Sequence, residues 1–141
     1  MKILIDASAF VKLLIEEPGS DEAASIWDEA TDLLASRFLY PEARAALGRA
    51  ARLGRLTPRG LERSRGLLEA RWAEVRVVEL HDGLDRLAGE VAELLGLRAG
   101  DAVHLASALI VGETTLVTFD ERLASAAHEA GLAVAGVSPG E

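Results

Sequence analysis

Four acids, Asp6, Glu42, Asp101 and Asp120, stand where an apolar run of this sequence stops or a helical repeat begins. Asp6 closes Ile3-Leu4-Ile5, and Asp120 follows Thr115-Leu116-Val117-Thr118-Phe119. Glu42 and Asp101 each fall in the first turn of a stretch with helical spacing. Gathered in one place, four carboxylates make an all-oxygen site suited to Mg²⁺ or Mn²⁺. Without a cation they would repel one another, and some would bind protons to relieve the charge. Taken singly, each acid has a local reading as well. An acid at a helix N-terminus caps free N–H groups and offsets the macrodipole, worth about 0.3–1 kcal/mol. Spacing alone leaves both readings open.

The elements that must position these acids follow from the pattern. Ile3-Leu4-Ile5 reads as a buried parallel strand. Phe10, Val11, Leu14 and Ile15 keep helical spacing as far as the breaker Pro18-Gly19. Ser20 is the expected N-cap of a second helix reaching about Asp32, with Asp21 and Glu22 in its first turn. Leu33-Leu34-Ala35-Ser36 is a second strand. A helix over 42–53 has Pro41 near its first turn and Gly54 as its stop. Thr57-Pro58 opens the next helix, with a stripe of Leu61, Leu68, Trp72 and Val75. Residues 76–80 alternate as a third strand, and Leu84, Leu87, Ala88, Val91, Leu94 and Leu95 form a helix ended by Gly96. Residues 101–111 are apolar on nearly every side, as a central helix requires. A strand over 115–118, a helix carrying Leu123, Ala124 and Ala127 to Gly131, and a strand over 132–134 complete the chain. Strands separated by helices imply one α/β domain over 1–141, three layers deep (α/β/α), with a four- to five-stranded parallel sheet. In such sheets ligands bind beyond the carboxyl ends of the strands, where the four acids should meet.

Composition removes several classes of function. The 141 residues suit one domain with a real core, half of them being hydrophobic. The absence of cysteine excludes disulfides, a thiolate zinc site and a cysteine nucleophile. No apolar run approaches membrane-spanning length, and Met1-Lys2 leads into a strand instead of a signal peptide, so a cytoplasmic, membrane-free protein is expected. The net charge of −8 argues against coating nucleic acid through bulk positive charge. That average hides an asymmetry. Residues 37–76 hold ten arginines and four acids, a local charge of +6, inside a remainder of −14. Asn and Gln are absent, and arginine outnumbers lysine 13 to 2, a bias that heat adaptation or a skewed genome would equally produce.

The strings around the acids narrow the reading. Ile3-Leu4-Ile5-Asp6-Ala7-Ser8-Ala9-Phe10-Val11-Lys12-Leu13, followed by Glu16 and Pro18-Gly19-Ser20, resembles the opening of PIN-domain nucleases, most of all the VapC toxins of toxin–antitoxin pairs. Tyr40-Pro41-Glu42-Ala43-Arg44-Ala45-Ala46-Leu47 is similar to their second motif. Leu97-Arg98-Ala99-Gly100-Asp101-Ala102-Val103-His104-Leu105-Ala106 resembles the third, and Thr118-Phe119-Asp120-Glu121-Arg122-Leu123 the fourth, in the family's order. The resemblance spans essentially the whole chain. It implies a PIN-like fold and a Mg²⁺- or Mn²⁺-dependent endoribonuclease with Asp6, Glu42, Asp101 and Asp120 as catalytic acids. Asp6 and Asp101 would bind metal most directly, and Glu42 and Asp120 would act through water or a second ion. The count of one metal or two stays open. Ser8 and Thr118 match positions where the family keeps a hydroxyl that holds a carboxylate or water. Gly100 departs from the bulkier residue usual before the third acid, and is expected to act as a cap. The family also implies cleavage to a 5′-phosphate and a 3′-hydroxyl, a homodimer, and a small VapB-like antitoxin partner.

Other residues keep two or more readings. His104, three positions after Asp101, is either a hydrogen-bonded helix histidine or a contact to phosphate or acid. His81 and His128 read as surface residues. Trp27, Trp72, Phe10, Phe38, Phe119 and Tyr40 read as core or interface rather than as base-stacking platforms. Arg44, Arg52, Arg55 and Arg59, with Arg63, could contact RNA phosphates, meet a second subunit or antitoxin, or form a solvated face. Rival enzyme classes fail on named residues. A receiver domain needs paired acids after the first strand and a late lysine, but Asp6 lies between Ile5 and Ala7 and both lysines precede residue 13. A haloacid-type phosphatase needs an acid where Ser8 stands. A catalytically silent PIN-like RNA- or protein-binding module, or a PIN ribonuclease of RNA processing outside any toxin pair, remains the alternative. Charge reversal at Arg52 and Arg55 is expected to weaken RNA binding and flatten its salt dependence by roughly 0.7 per lost phosphate contact. An unchanged salt slope would move this segment to a protein interface.

Overall fold

In the computed structural model the described residues are 1–137, and the last four residues of the expected domain lie outside them. The strands are β1 (Lys2–Ile5), β2 (Asp32–Ser36), β3 (Arg76–Val78), β4 (Thr115–Thr118) and β5 (Ala133–Gly136). The helices are α1 (Ala7–Val11), α2 (Ser20–Glu29), α3 (Leu39–Arg52), α4 (Pro58–Trp72), α5 (Asp82–Leu95), α6 (Ala99–Val111) and α7 (Glu121–Glu129). All strands pair in parallel in the order β3-β2-β1-β4-β5. The sheet therefore has five strands, the upper end of the expected range.

β1 is central, which explains its unbroken apolar run. Ile3, Leu4 and Ile5 are all fully buried, because both faces of the sheet are covered by helices. Successive side chains point to opposite faces. Leu4, Leu34 and Leu116 thus join α5, α6 and α7 in one core, whereas Ile3, Ile5, Ala35 and Val117 join α1, α3 and α4 in the other. The three-layer α/β/α architecture is the outcome. The chain winds from β1 toward β2 and β3 on one side and toward β4 and β5 on the other. The strand order thus reverses between β1 and β4, which opens a crevice beyond their carboxyl ends. No single helix is long and apolar enough to cross a membrane, among the described residues. The apolar α6 is accounted for by its place in the core.

Several boundaries differ from the sequence reading for local reasons. α1 stops at Val11 because Lys12, Leu13 and Leu14 donate to carbonyls only three residues back, which tightens the chain into turns. Leu14 is buried all the same, so the periodicity reported packing and not helix length. Ser20 is not the cap of α2. Gly19 holds that place at φ 94°, and Ser20 Oγ instead accepts from Glu17 N (2.9 Å) and donates to Ile15 O (3.1 Å). α3 starts at Leu39, and Thr57 and Pro58 open α4 as expected, the Thr57 hydroxyl accepting from Gly60 N. β3 ends at Val78, and β5 runs over Ala133–Gly136 instead of 132–134. His81 is more than a surface residue, since its ring nitrogen caps α5 at Leu84 N (3.3 Å).

Gly136 is the last residue of β5, at φ +103°, paired with Thr118. A Cβ there would lie 2.2 Å from the Thr118 carbonyl oxygen, so alanine must both adopt a strained backbone and push β5 away. Gly131 also has a positive φ (+89°) but open space around it. Both substitutions share the strained backbone, so the clash alone should make Gly136→Ala cost more in urea unfolding than Gly131→Ala, by about 1–3 kcal/mol. Equal losses would show that the close approach to β4 is not a constraint.

Candidate metal and nuclease centre

Asp6 follows β1 directly and is only 2% exposed. It caps the N-terminus of α1, its Oδ1 accepting from Ala9 N at 3.0 Å. Ser8 Oγ donates to the same carboxylate (2.8 and 3.0 Å to its two oxygens), and Thr118 Oγ1 donates to Oδ2 at 2.6 Å. The two hydroxyls lie 3.2 Å apart, and each also accepts a backbone N–H, Ser8 from Phe119 and Thr118 from Asp120. The residues leaving β4 are thereby fastened to the residue leaving β1. Burial pushes the Asp6 carboxyl above its ordinary range, opposed by the His104 charge and by these hydrogen bonds.

Asp120 caps α7, with Oδ1 accepting from Arg122 N (2.9 Å) and Leu123 N (3.1 Å). Asp101 lies in the first turn of α6, its side chain 17% exposed, with the highly exposed Arg98 guanidinium 3.8 Å away. Its carboxyl is also held above the usual range, first by burial and then by the charge of Asp120, with a smaller push from Glu42. Arg98 and His104 act the other way. Asp6 and Asp120 are thus helix caps as well, which is compatible with the electrostatic pressure on Asp101.

Glu42 reaches the same place from the opposite helical layer. α3 packs on the core containing Ile3 and Ile5, and α6 on the core containing Leu4. Beyond the sheet edge the two layers touch, where Glu42 Oε1 hydrogen-bonds His104 Nε2. His104 is 1% exposed. Its pKa is raised although burial opposes this, because Glu42, and then Asp6 and Asp101, favour the cation. Both sequence readings of His104 thus merge, a buried helix histidine that contacts a site acid. Its Nδ1 has no hydrogen-bond partner among the described residues. Gly100 is not a cap, since Arg98 holds that position. A Cβ on Gly100 would come within 2.9 Å of the Phe38 ring and 3.0 Å of Glu42 Oε2, so the missing side chain makes room for Glu42.

The candidate RNA-contacting arginines differ in their partners. Arg44 donates to the Tyr40 hydroxyl (2.9 Å) and lies 5.8 Å from its ring centre. Arg52 and Arg59 are exposed, and neither forms an ion pair among the described residues. Arg55 pairs with Glu17 at 2.9 Å. Phe10 and Trp27 pack with tilted rings in the core, their centres 5.9 Å apart, whereas Phe38 is 38% exposed beside His104 and lies on the site's rim. The sequence reading missed Lys12, whose ammonium sits 5.0 Å from the Phe119 ring centre. Its place in the first motif was the available signal.

Among the described residues no three acidic or histidine side chains close into a cage for an ion. Mg²⁺ does not require one, because it retains several waters and commonly takes one or two protein carboxylates. The hard oxygen donors of Asp6 and Asp101, both crowded by negative charge or burial, fit such an ion. The sign of the Asp101 shift makes a testable statement. A carboxyl raised in the fold binds more protons folded than unfolded, so its contribution to stability falls as pH rises from 3.8 through the raised value. Asp101→Asn should therefore unfold at a higher temperature than wild type at pH 7 without divalent ions, and this advantage should vanish toward pH 3.8. Mg²⁺ should stabilise wild type more than the variant. A variant no more stable at neutral pH would contradict the crowding described.

The family model described as the PIN domain matches residues 3–129. Ribonuclease VapC49 of Mycobacterium tuberculosis is 48% identical over 135 residues, 94% of either chain. The solved structure of PAE2754 from Pyrobaculum aerophilum superposes with a TM-score of 0.73 at 26% identity, over 95% of this chain and 83% of the other. A toxin–antitoxin complex from Klebsiella pneumoniae contains a chain with a TM-score of 0.61 at 16% identity, over 84% of this chain and 87% of that one.

Proposed function

The chain belongs to the PIN domain family, in its VapC-type branch, and we propose that it is the metal-dependent endoribonuclease of a toxin–antitoxin pair. The proposal covers residues 1–141 as a single PIN domain. One observation carries it: the buried Asp6 carboxylate, oriented by Ser8 and Thr118, shares the charge of His104 with Glu42 and Asp101, and Asp101 in turn feels Asp120. The ribonuclease relative at 48% identity supports the reaction, and the toxin–antitoxin neighbour supports the biological setting.

Asp6 and Asp101 would hold Mg²⁺ or Mn²⁺, which supplies an activated water and neutralises charge on the scissile phosphate. Ser8 and Thr118 fix the Asp6 carboxylate in one orientation, because each hydroxyl is itself locked by a backbone N–H. Asp120, held through Oδ1, faces Asp101 electrostatically from the other strand end. Glu42 is positioned by His104 at the border of the site, where it can accept a proton or orient a water. A VapB-like antitoxin would be the protein partner, in the cytoplasm. A homodimer would cover the apolar Leu94 and Ile110, which are exposed on the packed pair α5 and α6.

The direct test is purified chain, freed of any partner, on structured RNA. Cleavage should require Mg²⁺ or Mn²⁺ and disappear in Asp6→Ala and Asp101→Ala. Thr118→Val, which removes only the hydroxyl beside Asp6, should lower the rate or metal affinity by about 10–100-fold. Absence of metal-dependent cleavage, or undiminished cleavage by the aspartate variants, would overturn the reading.

A further inference from the structure

A cleft of about 380 Å³ runs beside the site between α1, the segment preceding α2 and the end of α3. Ser8 and Phe119 form part of its wall, so it lies against one of the two residues whose hydroxyls hold Asp6. Its charged lining is unlike the chain as a whole, with three cations, Lys12, Arg49 and Arg55, against the single acid Glu17. Glu17 engages two of the three. Its Oε1 lies 3.2 Å from Lys12 Nζ, and its Oε2 lies 2.9 Å from Arg55 Nη2. Lys12 and Glu17 are largely withdrawn from water, their side chains 15% and 20% exposed. Lys12 is further held by the Pro18 carbonyl (2.7 Å) and the Phe119 ring. Arg49 is exposed and has no ion-pair partner among the described residues.

A carboxylate spanning two cations in a cleft beside a phosphate-cleaving site stands where a phosphodiester would bind. We propose that this cleft is a subsite for the RNA backbone flanking the scissile bond, and that Glu17 occupies its cations in the free protein as an internal competitor. The proposal rests on the nuclease reading and names the residues that receive the strand next to the cut. An arriving phosphate exchanges with Glu17 on Lys12 and Arg55, while Arg49 provides an uncommitted charge at the cleft. Because one acid must be displaced, the two cations gain only one net positive charge toward RNA. The Glu17–Arg55 pair also ties the loop after α1 to the loop after α3, and Lys12–Glu17 closes the first of these loops on itself.

The test is equilibrium binding of a fluorescein-labelled single-stranded 12-nucleotide RNA in EDTA, across a salt series, so that no cleavage intervenes. Glu17→Gln should bind several-fold more tightly than wild type and steepen the logarithmic salt slope by about 0.7, one more phosphate neutralised. Glu16→Gln removes the same charge one residue away, outside the cleft, and should change neither quantity. Adding Lys12→Gln to Glu17→Gln should abolish the gain, and Arg49→Gln should weaken binding whether or not Glu17 is present. Matching thermal unfolding curves identify variants that keep their fold. If Glu17→Gln is disturbed there, Glu17→Ala serves in its place. Cleavage by wild type together with no gain in the Glu17 variants, or an equal gain in Glu16→Gln, overturns the internal competitor and leaves the nuclease standing. Loss of both RNA binding and metal-dependent cleavage in wild type overturns both.

Discussion

A carboxylate almost wholly removed from water sits at the point where the sheet reverses its strand order, and the surrounding structure is built to keep it there. Leaving Asp6 buried and charged without partners would cost several kcal/mol. It receives hydrogen bonds from Ser8, Ala9 and Thr118 instead. Ser8 and Ala9 are local, supplied by the first turn of α1. Thr118 comes from 112 residues away and is present only because β4 pairs with β1. The adjacency of these two strands is therefore the constraint on which the centre depends. Without it Asp6 would be a helix cap and nothing more.

The second dependence crosses the layers. A parallel sheet with both faces covered keeps its two helical layers apart, except past its edge. There Glu42 of α3 meets His104 of α6, and the pair brings a carboxylate and an imidazole from opposite cores into one hydrogen bond. The cationic tendency of His104 offsets the charges of Asp6 and Asp101, as well as that of Glu42. The histidine thus relieves some of the repulsion that a metal would relieve further. The absence of a side chain at Gly100 is part of the same arrangement, because a Cβ would press on Glu42.

Charge takes a more local meaning once the pairs are known. The arginine-rich middle of the chain looks like a single basic arm, yet many of its members are committed nearby. Arg37 pairs with Glu79 and Arg76 with Asp32, ties that brace neighbouring strands β2 and β3. Arg71 lies 5.5 Å from the Trp27 ring centre, and Arg44 leans on Tyr40. Exposed pairs of this kind contribute little stability each. They do reduce the number of arginines free to meet a polyanion. The cleft beside Ser8 combines committed and uncommitted cations next to a hydroxyl that holds Asp6, so local placement says more than net charge.

The four acids, their order and their places at strand ends and helix starts were legible in the sequence. So were the sheet's parallel character and the apolar central helix. These follow from local rules: burial on both faces makes a continuous apolar strand, and helices accept acids at their N-termini. The limits of α1, the cap of α2 and the strand count were less legible, because turns of three-residue bonds and edge-strand length depend on neighbours. What only the tertiary structure decided is which distant groups share a bond. Thr118 on Asp6, Glu42 on His104 and Glu17 between Lys12 and Arg55 join residues whose chain separation carries no periodic signal. The sequence by itself determined which chemical groups stand at the strand ends, since that is set by patterning within a few residues. The fold decided their burial and partners, since those depend on distance in space.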